Sequence, residues 1–411
     1  MSSDHSRPSA AQSSEPEVLD ETEPVACPLC GRGAEDAHVV GTRARFDLPV
    51  RNVACACCGL VYVTPRPTAR ALEAYYRTQY RAHYHGVKIP APDGRALGPG
   101  DEGFEEAWRS RHRAQARGAL ALGRPPAGGR VLEVGCGDGT TLGFMEELGG
   151  VQVFGVEPDV RQAARADERG VPCFAGSMEE YEPPGEGFDQ VQMFHVLEHL
   201  QDPLGAVGRL ASWLRPGGRL VIEVPNVTQP YGLLEANFFQ NAHLVSLSPS
   251  TLAALLRRAG LVVTRLVDAG SVYAVGHLDP AVPRAELPLS FDRSMLDAPE
   301  QDGAWVAERL RSYAELERLR LEALARPVTF EGLERIVRVL GRPCFEPHLL
   351  QAVESLATHL LGQGALRAAR AVLAAAARGP HRADVARGFA SSAAALDRLI
   401  APPAGLDVEP S

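Results

Sequence analysis

A glycine-rich loop that follows a short apolar run constrains the fold of this chain more than any other feature. Val131–Val134 is apolar apart from Glu133, and it leads into Gly-Cys-Gly-Asp-Gly at residues 135–139. Glycine adopts positive φ without a Cβ clash and lets the backbone pass close to a ligand. We therefore predict a buried strand, a tight ligand-binding turn and a helix that begins near Thr140. A dinucleotide-binding fingerprint would carry glycine where Thr140 stands, so the loop alone does not identify its ligand.

Apolar runs and helical patterns alternate after this loop. Three runs predict further strands, at residues 151–156, 188–194 and 220–224. Asp202-Pro203 and Ser248-Pro249 are each typical of an N-cap and a first helical turn, and Pro216-Gly217-Gly218 is expected to end the first of these helices. Alternating strands and helices imply right-handed crossovers and a parallel sheet. We expect an α/β domain over residues 105–277.

Length and composition divide the rest of the chain. A chain of 411 residues exceeds one ordinary core, so two or three domains are expected. Residues 1–24 are rich in Ser, Pro and acidic side chains, which predicts a disordered tail. The remaining segments are expected to be a cysteine-containing ribbon (25–67), a helical linker (68–104) and an all-helical C-terminal domain (285–405).

The net charge and the hydropathy pattern limit the binding partners and the cellular location that we expect. A net charge of −9 argues against a general nucleic-acid binder, which normally carries a basic face. No apolar stretch approaches the length of a membrane helix, and the N-terminus lacks a secretory pattern. We expect a cytoplasmic protein that does not engage membranes.

Further motifs follow the glycine loop in a fixed order. Glu157 ends the second predicted strand about 20 residues later, His-Val-Leu-Glu-His occupies 195–199, and Leu-Arg-Pro-Gly-Gly occupies 214–218. In this order and spacing the chain resembles the class I S-adenosylmethionine-dependent methyltransferases, from about residue 105 to 277. The resemblance implies a doubly wound, Rossmann-like core that binds S-adenosyl-L-methionine and transfers its methyl group.

The resemblance also assigns the cofactor-binding residues. Those that would line the methionine end of the cofactor are Glu133, Gly135, Cys136 and Gly137, and Gly139 of the same loop is also assigned to cofactor binding. Those that would surround its nucleoside are Glu157 at the ribose, and Pro158, Ser177 and Met178 near the adenine. Phe194 and His195 would close the pocket over the fourth strand.

Five of the eight cysteines lie close together near the N-terminus. Cys27-Pro-Leu-Cys30 and Cys55-Ala-Cys57-Cys58 are separated by 24 residues between Cys30 and Cys55. Two such knuckles suit tetrahedral Zn²⁺, so Cys27, Cys30, Cys55 and Cys58 are the predicted ligands and Cys57 a bystander. Disulfides are the alternative, which a cytoplasmic setting disfavours. The run from Cys58 to Tyr76 resembles the N-terminal zinc-binding segment of bacterial methyltransferases, including sugar C-methyltransferases, where this segment helps to cover the substrate.

Histidines near the carboxyl ends of the predicted strands are the candidate catalytic residues. Methyl transfer to a hydroxyl or carbon acid requires removal of a proton, and histidine is the usual base near neutral pH. His199 could act as the base or cap a helical turn, whereas His195 more plausibly packs on the cofactor. His243 matches an active-site histidine of the sugar C-methyltransferases, and its alternative is a buried structural role.

Other polar side chains could support them. Glu198 could orient a histidine, and Glu223 on the fifth strand could reach the acceptor. Four tyrosines could line the acceptor pocket or belong to the core, namely Tyr75, Tyr76, Tyr80 and Tyr84.

The sequence therefore predicts a methyltransferase that acts on a small-molecule or sugar-type acceptor, with O- or C-methylation assisted by a histidine base. The first alternative is an RNA methyltransferase that uses the zinc ribbon as a substrate reader. Residues 25–120 hold 14 basic against 9 acidic side chains, although no aromatic and basic RNA-binding motif accompanies them. The second alternative is a non-catalytic scaffold that binds the cofactor. The C-terminal helices are a candidate surface for a homodimer.

Overall fold

The computed structural model describes residues 21–78, 89–90, 96–98, 100–183, 185, 187–279 and 287–400. The chain divides into two compact units. The first comprises Met1–Pro24 and Pro65–Trp108, and the second comprises Val25–Thr64 and Arg109–Ser411.

The described strands form one seven-stranded central sheet and three smaller sheets. In chain order they are β1 (Thr22–Glu23), β2 (His38–Ala44), β3 (Leu48–Ala54), β4 (Val61–Val63), β5 (Arg66–Pro67), β6 (Ile89–Pro90), β7 (Ala96–Leu97), β8 (Arg130–Val134), β9 (Gln152–Glu157), β10 (Cys173–Ala175), β11 (Phe188–Phe194), β12 (Leu214–Pro225), β13 (Val245–Ser246), β14 (Leu261–Ala269) and β15 (Ser271–Leu278).

The α-helices fall into one group that alternates with the strands and a second group that follows them. In chain order they are α1 (Ala69–Thr78), α2 (Phe104–Leu122), α3 (Thr140–Gly149), α4 (Val160–Glu168), α5 (Pro203–Ser212), α6 (Pro249–Arg258), α7 (Gly303–Ala325), α8 (Phe330–Leu340), α9 (Glu346–Gly362), α10 (Leu366–Arg378) and α11 (Ala383–Ile400).

The central sheet has seven strands in the order β10-β9-β8-β11-β12-β15-β14. The first five run parallel to one another, and β15 runs antiparallel to both of its neighbours. The strand order reverses direction along the chain between β8 and β11, which is where ligands bind in open α/β sheets. The predicted doubly wound α/β fold is confirmed.

Apolar side chains cover both faces of this sheet. Leu132 and Val134 belong to one buried cluster, and Val131 belongs to another on the opposite face. Parallel strands that are covered on both faces read as nearly continuous apolar runs. For this reason the strand predicted at 188–194 coincides with β11.

Side-chain caps set the starts of the helices as the sequence indicates. The Asp202 carboxylate accepts a hydrogen bond from Gly205 N, and Ser248 forms a reciprocal capping box with Thr251 at the start of α6. The end predicted for α5 was wrong. The helix stops at Ser212, and Pro216-Gly217-Gly218 lies within β12, because Leu214 already pairs with Phe188.

The ribbon segment, which belongs largely to the second unit, supplies three strands of a four-stranded sheet. This sheet has the order β13-β4-β3-β2, so a strand from the region after β12 completes it. Arg258 Nη1 also donates to the Leu29 carbonyl. Residues of the ribbon such as Leu60 and Tyr62 are buried in the same apolar cluster as Leu132.

The first unit contains smaller elements. Within the predicted tail, Thr22–Glu23 forms a strand that pairs with β5, so the tail cannot extend beyond residue 21 as a disordered segment. The predicted linker contains the helix α1, but also the strand pair β6 and β7. The rest of the tail, together with Tyr80 and Tyr84, lies outside the described residues.

The C-terminal region is helical, as predicted. The helices α7 to α11 follow one another with breaks close to the predicted ones at Arg326-Pro327, Pro343 and Gly379-Pro380. Tyr313 on α7 is buried, and its hydroxyl donates to the Gly232 carbonyl at 2.6 Å. Among the described residues, no helix has both the length and the apolar character needed to cross a bilayer.

Candidate active site

The glycine loop leaves β8 at the reversal point of the sheet. Gly135 has a φ of 76°, and its N–H donates to the Val156 carbonyl at 2.8 Å. A Cβ at this position would lie 2.4 Å from Val196 Cγ2, which follows β11. Gly137 has a φ of 56°, but no atom lies within 4 Å of the place its Cβ would occupy. Gly135 therefore serves close packing, and Gly137 leaves open space at the turn.

Glu157 at the end of β9 faces this turn. Its carboxylate accepts hydrogen bonds from Gly137 N at 3.0 Å and from Asp159 N at 2.9 Å. The half-buried carboxylate thus lies at the carboxyl ends of two adjacent parallel strands. An acid in this place of a doubly wound fold can accept hydrogen bonds from ribose hydroxyls.

Glu133 lies inside the sheet below the loop. It is buried, and Gln192 Nε2 donates to its Oε2 at 2.8 Å. Burial raises the pKa of Glu133 to about 8, because the charged form is poorly solvated there. Near neutral pH this side chain is therefore largely protonated and can donate a hydrogen bond.

The other residues assigned to the cofactor differ in exposure. Cys136, Gly139, Met178 and Phe194 are buried, Ser177 is half-buried and Pro158 is exposed. The Cys136 thiol is 3.5 Å from that of Cys173 on β10. The sheet brings the glycine loop, Glu157 and the residues after β11 to one edge, whereas the assignments of Pro158, Ser177 and Met178 stay predictions.

His195 follows β11 in an unusual backbone conformation. Its φ is 55°, a left-handed value that is uncommon for a residue with a side chain. Its Nε2 is 3.1 Å from Glu223 Oε1, and its Nδ1 is 3.6 Å from Glu198 Oε1. Burial opposes the protonated form, but the two carboxylates outweigh it and raise the pKa of His195 to about 10. The imidazole is therefore positively charged near neutral pH.

Glu223 is held by partners that come from distant segments. Gln115 on α2 donates to its Oε2 at 2.7 Å, and the Tyr273 hydroxyl donates to its Oε1 at 2.6 Å. Gln115 Oε1 in turn accepts from the Thr141 hydroxyl on α3. Sequence reasoning named Glu223 but missed Gln115 and Tyr273, because no local pattern marks a contact between segments so far apart.

Glu198 is the most enclosed acid of the site. It is 2% exposed, and among the described residues neither carboxylate oxygen has a hydrogen-bond partner. His199 Nε2 and His243 Nε2 lie 3.9 Å and 4.0 Å from its Oε1. Burial disfavours the charged carboxylate, yet the charged His195 imidazole, more than any other neighbour, lowers the pKa of Glu198 to about 2.

The two candidate bases lie against each other beside Glu198. The rings of His199 and His243 are edge to face with centroids 4.7 Å apart. His199 Nδ1 donates to the Ala242 carbonyl at 3.0 Å, which directs Nε2 toward the carboxylate. Burial lowers the pKa of His199 and brings that of His243 to about 3, so both rings are neutral near pH 7.

Of the four tyrosines assigned to the acceptor pocket, Tyr75 is the one whose side chain the structure describes. Tyr75 on α1 is buried in the first unit, and the side chain of Tyr76 lies outside the described residues. The acceptor role of both stays a prediction.

Four cysteines converge at the ribbon. The Sγ atoms of Cys27 and Cys58 are 3.6 Å apart, those of Cys30 and Cys55 are 3.4 Å apart, and all four lie within 4.8 Å of one another. Four thiolates around Zn²⁺, with bonds of about 2.3 Å, are roughly 3.8 Å apart. The four side chains therefore fit a tetrahedral zinc ion, and all four are free thiols rather than disulfides.

Two similar turns present these thiols. Gly31 N donates to the Cys27 carbonyl at 2.8 Å, and Gly59 N donates to the Cys55 carbonyl at 3.0 Å. Both glycines have positive φ, which closes each knuckle. Cys57 is half-buried and is not among the four converging thiols.

The region that contains this site is similar to known methyltransferases. Residues 107–266 match the model of a protein family described as a methyltransferase domain. The matched residues include the glycine loop, Glu157 and β12. They also include Glu198, His199 and His243, which together are the histidine cluster.

Two relatives are similar to part of the chain. A tRNA U34 carboxymethyltransferase of Methylococcus capsulatus is 33% identical over 178 residues, which is 40% of this chain and 54% of the relative. A ubiquinone biosynthesis O-methyltransferase of Xanthomonas axonopodis pv. citri is 35% identical over 152 residues, which is 33% of this chain and 64% of the relative. The chain thus spans between about half and two thirds of the length of these relatives.

A solved structure covers more of the chain at lower similarity. The 1,6-didemethyltoxoflavin-N1-methyltransferase of Burkholderia thailandensis, with bound 1,6-didemethyltoxoflavin and S-adenosylhomocysteine, is 21% identical. It covers 58% of this chain and 100% of its own, with a TM-score of 0.39.

The contrast between two loop glycines can be tested by substitution. Gly137→Ala should cost about 1–2 kcal/mol of stability from the left-handed backbone alone. Gly135→Ala should pay the same backbone cost and lose about 1–3 kcal/mol of stability in addition, because its methyl group overlaps Val196. Val196→Ala should recover the added part in the double variant. Chemical unfolding midpoints measure all four proteins, and equal losses for the two glycine variants would contradict the assignment.

Proposed function

We propose, from the premise that residues 107–266 form a methyltransferase domain of the class I, S-adenosylmethionine-dependent type, that this chain transfers a methyl group to a small-molecule acceptor. One observation carries the proposal. The glycine loop and the Glu157 carboxylate meet at the reversal point of a doubly wound sheet. Such a site binds a nucleoside through its ribose and leaves the other end of the ligand at the glycine turn.

The cluster formed by Glu198, His199 and His243 is proposed to lie beside the cofactor. Val196 packs so closely on the glycine loop that a Cβ at Gly135 would lie 2.4 Å from its Cγ2. Glu198 and His199 follow Val196 in the chain, and His243 lies next to Glu198. In the proposed reaction an acceptor hydroxyl or carbon acid loses its proton at His199 or His243, and the methyl carbon moves from sulfur to the acceptor. The imidazoles are neutral, as a base must be before it accepts a proton.

The acceptor class is proposed to be a small or sugar-type molecule. The O-methyltransferase relative, at 35% identity over 152 residues, supports oxygen as the acceptor atom. The carboxymethyltransferase relative favours transfer RNA as a second candidate acceptor. Assays with pooled small hydroxylated acceptors and with bulk transfer RNA, both following S-adenosylhomocysteine formation, separate the two.

A structural zinc ion at Cys27, Cys30, Cys55 and Cys58 belongs to the same proposal. It would fix the ribbon whose strand β4 pairs with β13. A homodimer through the C-terminal helices is also proposed, supported by exposed apolar side chains on α8 and α9, including Phe330 and Leu350.

Cofactor binding can be measured by calorimetry. We expect S-adenosylmethionine and its demethylated product to bind at micromolar order. Glu157→Ala should weaken binding by about 1–3 kcal/mol, as expected for hydrogen bonds to a charged group. Gly137→Arg should abolish binding, because the side chain fills the open space at the turn. Glu168→Ala, an exposed acid at the end of α4, should bind like wild type; wild type that gives no heat would reject the proposal.

Zinc content can be measured by elemental analysis. The Cys27→Ser/Cys30→Ser variant should hold about one equivalent less zinc than wild type, because it loses two thiolates. Cys57→Ser should keep the wild-type content, since its thiol is outside the cluster. Proteolysis within residues 25–64 should become faster without the metal, because structural zinc is coupled to folding. Equal zinc in all three proteins would contradict the assignment.

The role of the histidines can be tested once an acceptor is known. Alanine in place of the histidine that serves the proton transfer should lower kcat by about 10² to 10⁴-fold and leave cofactor affinity nearly unchanged. Glutamine at that position should not restore the rate, because an amide cannot take the proton. His359→Ala on the C-terminal helix α9 is the control. If His199→Ala and His243→Ala both keep wild-type kcat, an amine acceptor that needs no base would replace the proposal.

A further inference from the structure

Glu198 is a buried carboxylate that lies close to three histidine side chains. Its two oxygens are buried and without a hydrogen-bond partner among the described residues. A buried carboxylate in this condition is costly unless a cation lies beside it. His195 lies near this carboxylate, but its imidazole is closer to Glu223, at 3.1 Å against 3.6 Å. A cation at the Glu198 carboxylate would offset the cost of its burial.

The imidazoles of His199 and His243 face the same carboxylate. Because His199 Nδ1 donates to the Ala242 carbonyl, its Nε2 carries no proton and points at Glu198 Oε1 from 3.9 Å. His243 Nε2 is 4.0 Å from the same oxygen. Two imidazole nitrogens and one carboxylate oxygen thus converge. A backbone carbonyl that fixes the far nitrogen of a histidine is the usual support of a metal ligand.

We infer that Glu198, His199 and His243 form a binding site for a divalent transition-metal ion. The three donor atoms lie within 4.8 Å of one another. Donors around an ion with bonds of about 2.1 Å are roughly 3.4 Å apart in tetrahedral geometry, so each side chain would move by less than about 1 Å. Two imidazoles and one carboxylate suit Zn²⁺, Fe²⁺ or Co²⁺, and three protein ligands leave a coordination position open.

The open position gives the site a role in the proposed function, on which this part of the inference rests. An acceptor hydroxyl bound there would lose its proton to water more readily, because the metal stabilises the alkoxide. The alkoxide oxygen would then form a bond to the methyl carbon. The carbon–sulfur bond would break with its electron pair remaining on sulfur, which yields S-adenosylhomocysteine. His199 and His243 would in that case serve the proton transfer as ligands rather than as direct bases.

Cobalt binding to protein that holds one equivalent of zinc, the amount expected for the four cysteines alone, tests the site without any acceptor. Calorimetry with Co²⁺ should show about one equivalent bound, and its absorption spectrum should lack thiolate charge-transfer bands. Glu198→Gln, which keeps the shape of the side chain, and His243→Gln should each weaken binding at least about 10-fold. His359→Ala should bind like wild type, which controls for surface imidazoles. Retained binding of S-adenosylhomocysteine reports that each variant is folded.

The possible results separate the metal site from the methyltransferase proposal. Wild type that binds no Co²⁺ overturns the metal site, whether or not the variants fold. Equal Co²⁺ binding by wild type and Glu198→Gln, or a thiolate spectrum, also overturns it. If Co²⁺ is not bound while S-adenosylmethionine is, the proposed function survives alone. If Co²⁺ binds and S-adenosylmethionine does not, the metal site stands and the proposed function fails.

Discussion

The parallel pairing of β8 with β11 is the constraint on which the site depends. Glu133 pairs with Gln192 and Val134 with Met193, so the two strands end at the same level of the sheet. The glycine loop and the loop at His195 therefore leave the sheet side by side. Gly135 has room for no side chain because Val196 occupies that space. If the register slipped by one residue, Glu133 would exchange faces with its apolar neighbours and the two loops would no longer meet.

Local patterns in the sequence predicted most of the α/β domain. The β11 strand, the caps at Asp202 and Ser248 and the helix that begins at Thr140 all depend on residues close in the chain. The end of α5 was missed because pairing of Leu214 with Phe188 overrides the local signal of Pro216-Gly217-Gly218. In the site, the sequence predicted the histidines, but the partners of Glu223 and the isolation of Glu198 arise from tertiary packing. Such long-range contacts leave no periodicity to read.

The ribbon and the central sheet are less separate than the sequence suggests. Strand β13 completes the ribbon sheet, and Leu60 and Tyr62 share an apolar cluster with Leu132. Gly303 at the start of α7 also approaches the ribbon so closely that a Cβ would lie 2.5 Å from the Cys55 carbonyl oxygen. The cysteine turns are therefore coupled by packing both to the α/β domain and to the first C-terminal helix, and their geometry is sensitive to each.

The backbone at His195 also limits what evolution can place there. Left-handed φ is tolerated by Gly and by Asn at low cost, but it strongly disfavours β-branched residues. Neither tolerated replacement carries an imidazole that could bridge two carboxylates. A descendant of this chain that replaced His195 by either residue would keep its backbone and lose the positive charge between Glu198 and Glu223. Drift at this position would therefore alter the electrostatics of the site before it altered the fold.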